Sequence, residues 1–247
     1  MHTFITEVRE TLAPGRTDRF GPLPPLLVAM TVVTGLVDSF SYLILGHVFV
    51  ANMTGNVVFL AFAIVGAHGF SIGASIVALV AFGLGSVLGG RIVQRFGHHR
   101  GHHVAVATGT QALLVAVALV LALVGTQPFG SGFRYALIVF LGLSMGLQNS
   151  SVRRLAVPDL TTTVLTLTVT GIGADSALGG GKGSKSGRRL ISVAAMFLGA
   201  LVGAAFILHV QVAVPLIFAL AIVVVIAAVS QWSGLSNPAW TQVESES

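Results

Sequence analysis

What most constrains this chain is where it has no charge. Between Pro22 and Gly90 the one formally charged residue is Asp38, and between Arg189 and Glu244 there is none. A soluble domain carries about 25% charged residues and relies on them to keep its surface dispersed. This chain has 9%, against 54% hydrophobic residues. A water-soluble fold is therefore excluded, and the sequence predicts an all-α polytopic membrane protein. Apolar segments of about twenty residues span a bilayer as helices. Six segments have that character: Leu23–Leu45, Ile72–Val93, Val104–Val124, Tyr135–Gln148, Leu190–Leu208 and Val210–Ser230. Two apolar pieces, Asn52–Ala67 and Leu160–Ala174, are shorter. The topology turns on whether these two cross.

Loop charge decides between the alternatives. If all eight pieces cross from a cytoplasmic amino terminus, Lys and Arg divide 8 inside to 5 outside. That is a weak bias for a rule that shows clearly in short loops. If the two short pieces dip in and return, the inside gathers the tail arginines, Arg91, Arg95, Arg100, Arg153, Arg154, Lys182, Lys185, Arg188 and Arg189. The outside then keeps Arg134 alone, a division of 12 to 1. The sequence therefore predicts six transmembrane helices plus two re-entrant, broken helices, since irregular backbone is tolerated at membrane depth when protein buries it. The net charge of +5 sits in these loops and orients the chain, so no nucleic-acid partner is expected.

An internal echo supports this topology. Shifted by 107 residues, Gly35–Gly66 lies without gaps over Gly142–Gly173. Gly35/Gly142, Leu36/Leu143, Val50/Val157, Thr54/Thr161, Val57/Val164, Leu60/Leu167 and Gly66/Gly173 are identical, and Asn52 falls on Asp159. After each short piece, "GLGSVLGG" (Gly83–Gly90) recurs as "FLGALVGA" (Phe197–Ala204). Each half then has three crossings, an odd number, which makes the second half an inverted copy of the first. Inverted repeats with broken helices are a recurring construction of secondary transporters. The chain divides into a cytoplasmic tail (1–21), without the apolar core of a signal peptide, a first repeat (22–126), a second repeat (127–231) and a polar tail (232–247).

Polar side chains inside such runs are costly unless paired or used. In "VFVANMTGN" a half-helix is expected to start near Asn52. Its counterpart is expected at Asp159, with Pro158 before it and Thr161, Thr162 and Thr163 after. Asn, Asp and Thr favour helix starts because their side-chain oxygens accept from unpaired backbone N–H groups. Two such starts facing each other near mid-membrane would present positive dipole ends to an anionic or carboxylate-bearing solute. Asn52, Thr54, Gly55, Asn56, Asp159, Thr161, Thr162 and Thr163 are the candidate binding residues, with Tyr42, Gln148 and Asn149 placed to line the same cavity. The alternative is that these residues only cap and pack helices. Asp38, an acid in mid-span with Met145 at its repeat position, is the candidate proton-coupling group; the competing role is a structural hydrogen bond.

Other motifs have blander readings. Gly85-x-x-x-Gly89 and Gly199-x-x-x-Gly203 suit close helix packing. Gly179–Gly181 with Lys182 and Gly183 lacks the spacing of a phosphate loop. "GHHRGHH", with His98, His99, His102 and His103, is expected as a solvated basic loop whose glycines interrupt any helix. There are no cysteines, and no nucleophile–base arrangement or carboxylate pair appears. No enzyme activity, cofactor or metal is expected.

The stretches "TGLVDSFSYLILGHVFVANMTGN", "GLQNSSVRRLAVPDLTTTVLTLTVTG" and "GGRIVQRFGHHR" resemble those of the YoaK-like family of bacterial inner-membrane proteins, a domain of unknown function. The resemblance runs from about Pro25 to Ser230. It implies a multi-pass protein of the bacterial inner membrane and supplies no substrate. The expected partners are the lipid bilayer and an unidentified small solute, with a homo-oligomer left open. Set against the transporter or channel reading is a non-transporting membrane scaffold or stress-response protein whose polar motifs only pack helices.

Overall fold

A computed structural model describes residues 2–15, 18–163, 165–175, 186–235 and 239–241. The Gly179–Gly181 run with Lys182, Gly183 and Lys185, together with Val164 of the repeat, lies outside the described residues. The elements are α1 (His2–Leu12), α2 (Leu23–Ile44), α3 (Met53–Ile64), α4 (Ile72–Phe96), α5 (Arg100–Val124), α6 (Ser131–Leu155), α7 (Thr166–Ala174), α8 (Ser186–His209), α9 (Val214–Leu235) and a short 3₁₀ turn, Ala239–Thr241. Among the described residues there is no strand. Six helices are long and apolar enough to cross a bilayer: α2, α4, α5, α6, α8 and α9. This is an all-α multi-pass membrane protein, and its exposed apolar side chains, such as Leu84, Val87, Leu201 and Phe218, contact lipid.

The spans outrun the apolar segments that announce them, because helical hydrogen bonds do not depend on apolarity. α4 continues through Arg91 and Arg95 to Phe96, and cations suit a helix C-terminus. α6 extends from Ser131 through Asn149–Arg154 to Leu155, well beyond Tyr135–Gln148. The prolines at the start of α2 fall in its first turn, where a missing N–H costs nothing. The amino-terminal tail is more ordered than its polarity suggests: Glu7 of α1 accepts a hydrogen bond from the backbone N–H of Gly187 (3.0 Å), satisfying one open amide at the start of α8.

The histidine stretch is only partly a solvated loop: His98 sits exposed in the turn between α4 and α5, but the rest of the stretch enters α5. His99 caps α5, accepting from the N–H of His102 at 3.1 Å, and His103 is 1% exposed inside the helix. Gly101 does not interrupt that helix; it allows Gly234 of α9 to approach, and a Cβ there would sit 3.0 Å from the Gly234 Cα.

Two glycine seams hold the spans together. α4 lies along α6: a side chain at Gly85 would strike the Leu143 carbonyl, and one at Gly146 the Phe82 carbonyl. α2 lies along α8: a side chain at Gly35 would strike the Met196 carbonyl, and one at Gly199 the Val32 carbonyl. Small residues let helix backbones touch where lipid offers no hydrophobic drive for association. α5 packs on α6 and α9 packs on α2, while α5 and α9 pack on each other. α3 rests on α4, and α7 rests on α8. Every such pairing therefore has a partner under exchange of the two halves. α2 and α6, the first span of each half, are the most enclosed. They supply Val33, Val37, Phe40, Leu137, Ile138 and Leu141 to the main core.

Candidate functional site

The two short helices stand on chain excursions with tied ends. After α2 the backbone turns through Gly46 (φ 92) and His47 (φ 55) and runs back beside α2 before α3 begins. Asp38, more than a turn back inside α2, anchors the returning segment: its Oδ1 accepts from the N–H of Ala51 at 2.9 Å and of Val50 at 3.2 Å. Asn56 completes the turn, its Oδ1 accepting from Phe49 N–H (2.9 Å) and its Nδ2 donating to the Phe49 carbonyl (2.6 Å). α3, about 18 Å long at 1.5 Å per residue, then leads to Gly69, whose carbonyl accepts from His47 Nδ1 at 2.9 Å. The excursion ends where it began. Tyr42, Phe49, Phe59 and Phe70 stack in a column along it, with neighbouring ring centroids 4.9–5.7 Å apart.

The second excursion is closed by a cation. Arg189 of α8 binds Asp159 through Nε and Nη2, each 2.8 Å from Oδ1, and Asp175 through Nη1, 2.7 Å from Oδ2. Asp159 precedes α7 and Asp175 caps its end, so one guanidinium fastens both ends. This corrects the expected half-helix start at Asp159. That residue sits in a left-handed turn (φ 62) with its carboxylate claimed by Arg189, and α7 begins seven residues later, at Thr166. The intervening threonines are spent sideways. Thr162 accepts from Gln148 Nε2 (3.1 Å), Thr163 donates to Asn149 Oδ1 (2.8 Å), and Thr161 meets Thr168 at 3.5 Å.

Between the two breaks lies a cavity of about 680 Å³. Asn52, Met53, Thr54 and Gly55, the cap and first turn of α3, line it on one side; Thr163, Leu165 and Thr166, at the start of α7, line it on the other. Asp38 and Gly35 of α2 and Asn149 of α6 contribute to its wall, as do Phe82 of α4 and Met196 of α8. Asn52 uses its Oδ1 to cap the Gly55 amide at 3.3 Å. The backbone amides of Met53, Thr54 and Thr166, cavity-lining residues in the first turns of the two helices, have no partner among the described residues, as expected of helix N-termini.

The structure thus brings Asp38, Asn52, Thr54, Gly55, Asn149 and Thr163 to one cavity. Asn56, Tyr42, Gln148, Asp159, Thr161 and Thr162 are not among its lining. Gln148 instead centres a buried network, accepting from Gln111 Nε2 (2.7 Å) and donating to Thr34 Oγ1 (2.9 Å) and Thr162. Sequence reasoning missed Phe49, Phe59, Phe82 and Met196, which face the cavity. It also missed Gln111, whose signal was an amide in mid-span, and the bracketing role of Arg189, which was counted only as an orienting charge. Among the described residues, no cluster of three or more His, Asp or Glu stands ready for a metal ion.

Residues 26–229 match the family described as "Protein of unknown function (DUF1275)". Over 146 residues the chain is 31% identical to the UPF0700 transmembrane protein YoaK of Bacillus subtilis (strain 168), covering 58% of this chain and 63% of that protein. The match therefore spans less than two thirds of that relative. No solved structure matches the chain. With the family match reaching from the first turn of α2 into α9, across both excursions and the cavity between them, the chain belongs to the YoaK-like DUF1275 family of membrane proteins.

Proposed function

We propose that this protein is a secondary transporter or channel of the bacterial inner membrane for a small anionic or carboxylate-bearing solute, bound between the starts of α3 and α7. The observation that carries this reading is the shared cavity, into which two helix N-termini and a mid-span acid converge. In this reading α3 and α7 are re-entrant, the amino terminus is cytoplasmic, and the halves 22–126 and 127–231 form an inverted repeat. The His47–Gly69 hydrogen bond, the Arg189 bracket and the exchangeable helix pairings support that topology. Asp38 couples a proton to the solute: uncharged, it can stand beside an anion; ionised, it repels one.

The test is thermal stabilisation of the purified protein by a panel of small carboxylates, followed by uptake into proteoliposomes. Thr54→Trp, at an exposed cavity position, should abolish stabilisation without lowering the unliganded melting temperature. Should no carboxylate stabilise the protein or enter the liposomes, the scaffold reading takes its place.

A further inference from the structure

Resting on that reading, we infer that the solute is a zwitterion: an α-amino acid with an apolar or aromatic side chain. The cavity carries both signs of charge on separate walls. The cavity-lining residues Met53 and Thr54 of α3 and Thr166 of α7 supply backbone amides without a partner among the described residues, at positive dipole ends suited to a carboxylate. Asp38 supplies the opposite sign. It is 9% exposed and lines the cavity. Its Oδ1 is used by Val50 and Ala51, while its Oδ2 accepts from no donor among the described residues.

Lys, Arg and His are absent from the described lining, so none of the described residues lining the cavity brings a cation to Asp38. Arg189, the nearby candidate on α8, is held by Asp159 and Asp175. A plain carboxylate entering this cavity meets an acid and requires a proton to neutralise it. A plain amine meets two positive helix ends. A molecule with a carboxylate and an ammonium a few ångströms apart satisfies both walls, and its ammonium takes the place of the proton on Asp38. The remaining surface is apolar: Phe49, Phe59, Phe82, Met53 and Met196 face the space left for a side chain. Their rings also favour a nearby ammonium.

The discriminating experiment is calorimetric titration of the full-length protein in detergent with L-phenylalanine, L-leucine, 3-phenylpropanoate, which lacks the ammonium, and 2-phenylethylamine, which lacks the carboxylate. The two amino acids should bind at least tenfold tighter than either singly charged analogue. Asp38→Asn keeps an Oδ1 acceptor for Val50 and Ala51, so its melting temperature controls for folding. It should lose at least tenfold on L-phenylalanine while retaining 3-phenylpropanoate. Equal binding of 3-phenylpropanoate and L-phenylalanine to the unaltered protein, or unchanged L-phenylalanine binding by Asp38→Asn, overturns the zwitterion and leaves the carboxylate reading standing. Binding of some carboxylate from the panel with no binding of either amino acid does the same. Failure of every compound, panel included, removes both.

Discussion

At the scale of single residues, the question is which polar groups the fold uses up and which it leaves open. Asp38 does both: its Oδ1 holds the returning segment, its Oδ2 has no donor among the described residues, and the residue lines the cavity. Asp38→Ala should therefore destabilise the protein in its unliganded state, because two buried amides lose their acceptor at about 1–3 kcal/mol each. Asp38→Asn should melt close to the unaltered protein. Thermal unfolding in detergent, followed by tryptophan fluorescence, distinguishes the two variants. Asn56 shows why the sequence could not sort such groups. It stands four residues from Asn52 in the same motif, yet its amide is spent within its own turn, on the Phe49 backbone and the Met53 sulfur. An Asn that builds a turn and an Asn that lines a cavity are the same letter. What separates them is the direction the backbone takes after α2, which is set by contacts twelve or more residues apart.

At the scale of elements, the six spans were legible because length and apolarity are all that a bilayer asks of a helix. The glycine seams were legible too, since the i, i+4 spacing of Gly85/Gly89 and Gly199/Gly203 has one common use in membranes. Gly146→Leu should force α4 and α6 apart, because the added side chain meets the Phe82 carbonyl and the backbone N–H of Ser86 behind it. Loss of a monodisperse peak in size-exclusion chromatography is the expected result; a variant that elutes and melts like the parent would contradict the seam. The start of α7 was not legible. Thr161–Thr163 have the chemistry of a helix cap, but Gln148 and Asn149 on α6 claim the hydroxyls of Thr162 and Thr163, delaying the helix to Thr166. Arg189→Ala should leave stability nearly unchanged, since its ion pairs are partly solvated and worth about 0–1 kcal/mol. It should loosen the bracket, so that a thiol probe on Thr166→Cys reacts several-fold faster from the Arg189 face. An unchanged rate would show that the bracket closes nothing.

At the scale of the whole molecule, topology is the property most open to direct measurement, because the chain has no cysteine to confuse labelling. Ala67→Cys, between α3 and α4, should label only from the periplasmic side, and Arg95→Cys, at the end of α4, only from the cytoplasmic side. The reverse pattern would mean that α3 crosses. Loop charge and the 107-residue echo carried the sequence this far, but neither could show how the halves meet. They meet by exchange: the first span of each half packs its glycine against the second span of the other. That arrangement bears on how the chain is made. A ribosome delivers α2 and α4 to the membrane long before α8 and α6, so the first half waits with both glycine faces uncovered until the second arrives. Neither half has a finished interior of its own. Insertion is therefore one event with a late commitment step, and a chain cut short after α5 is a natural substrate for membrane proteolysis rather than a smaller working protein.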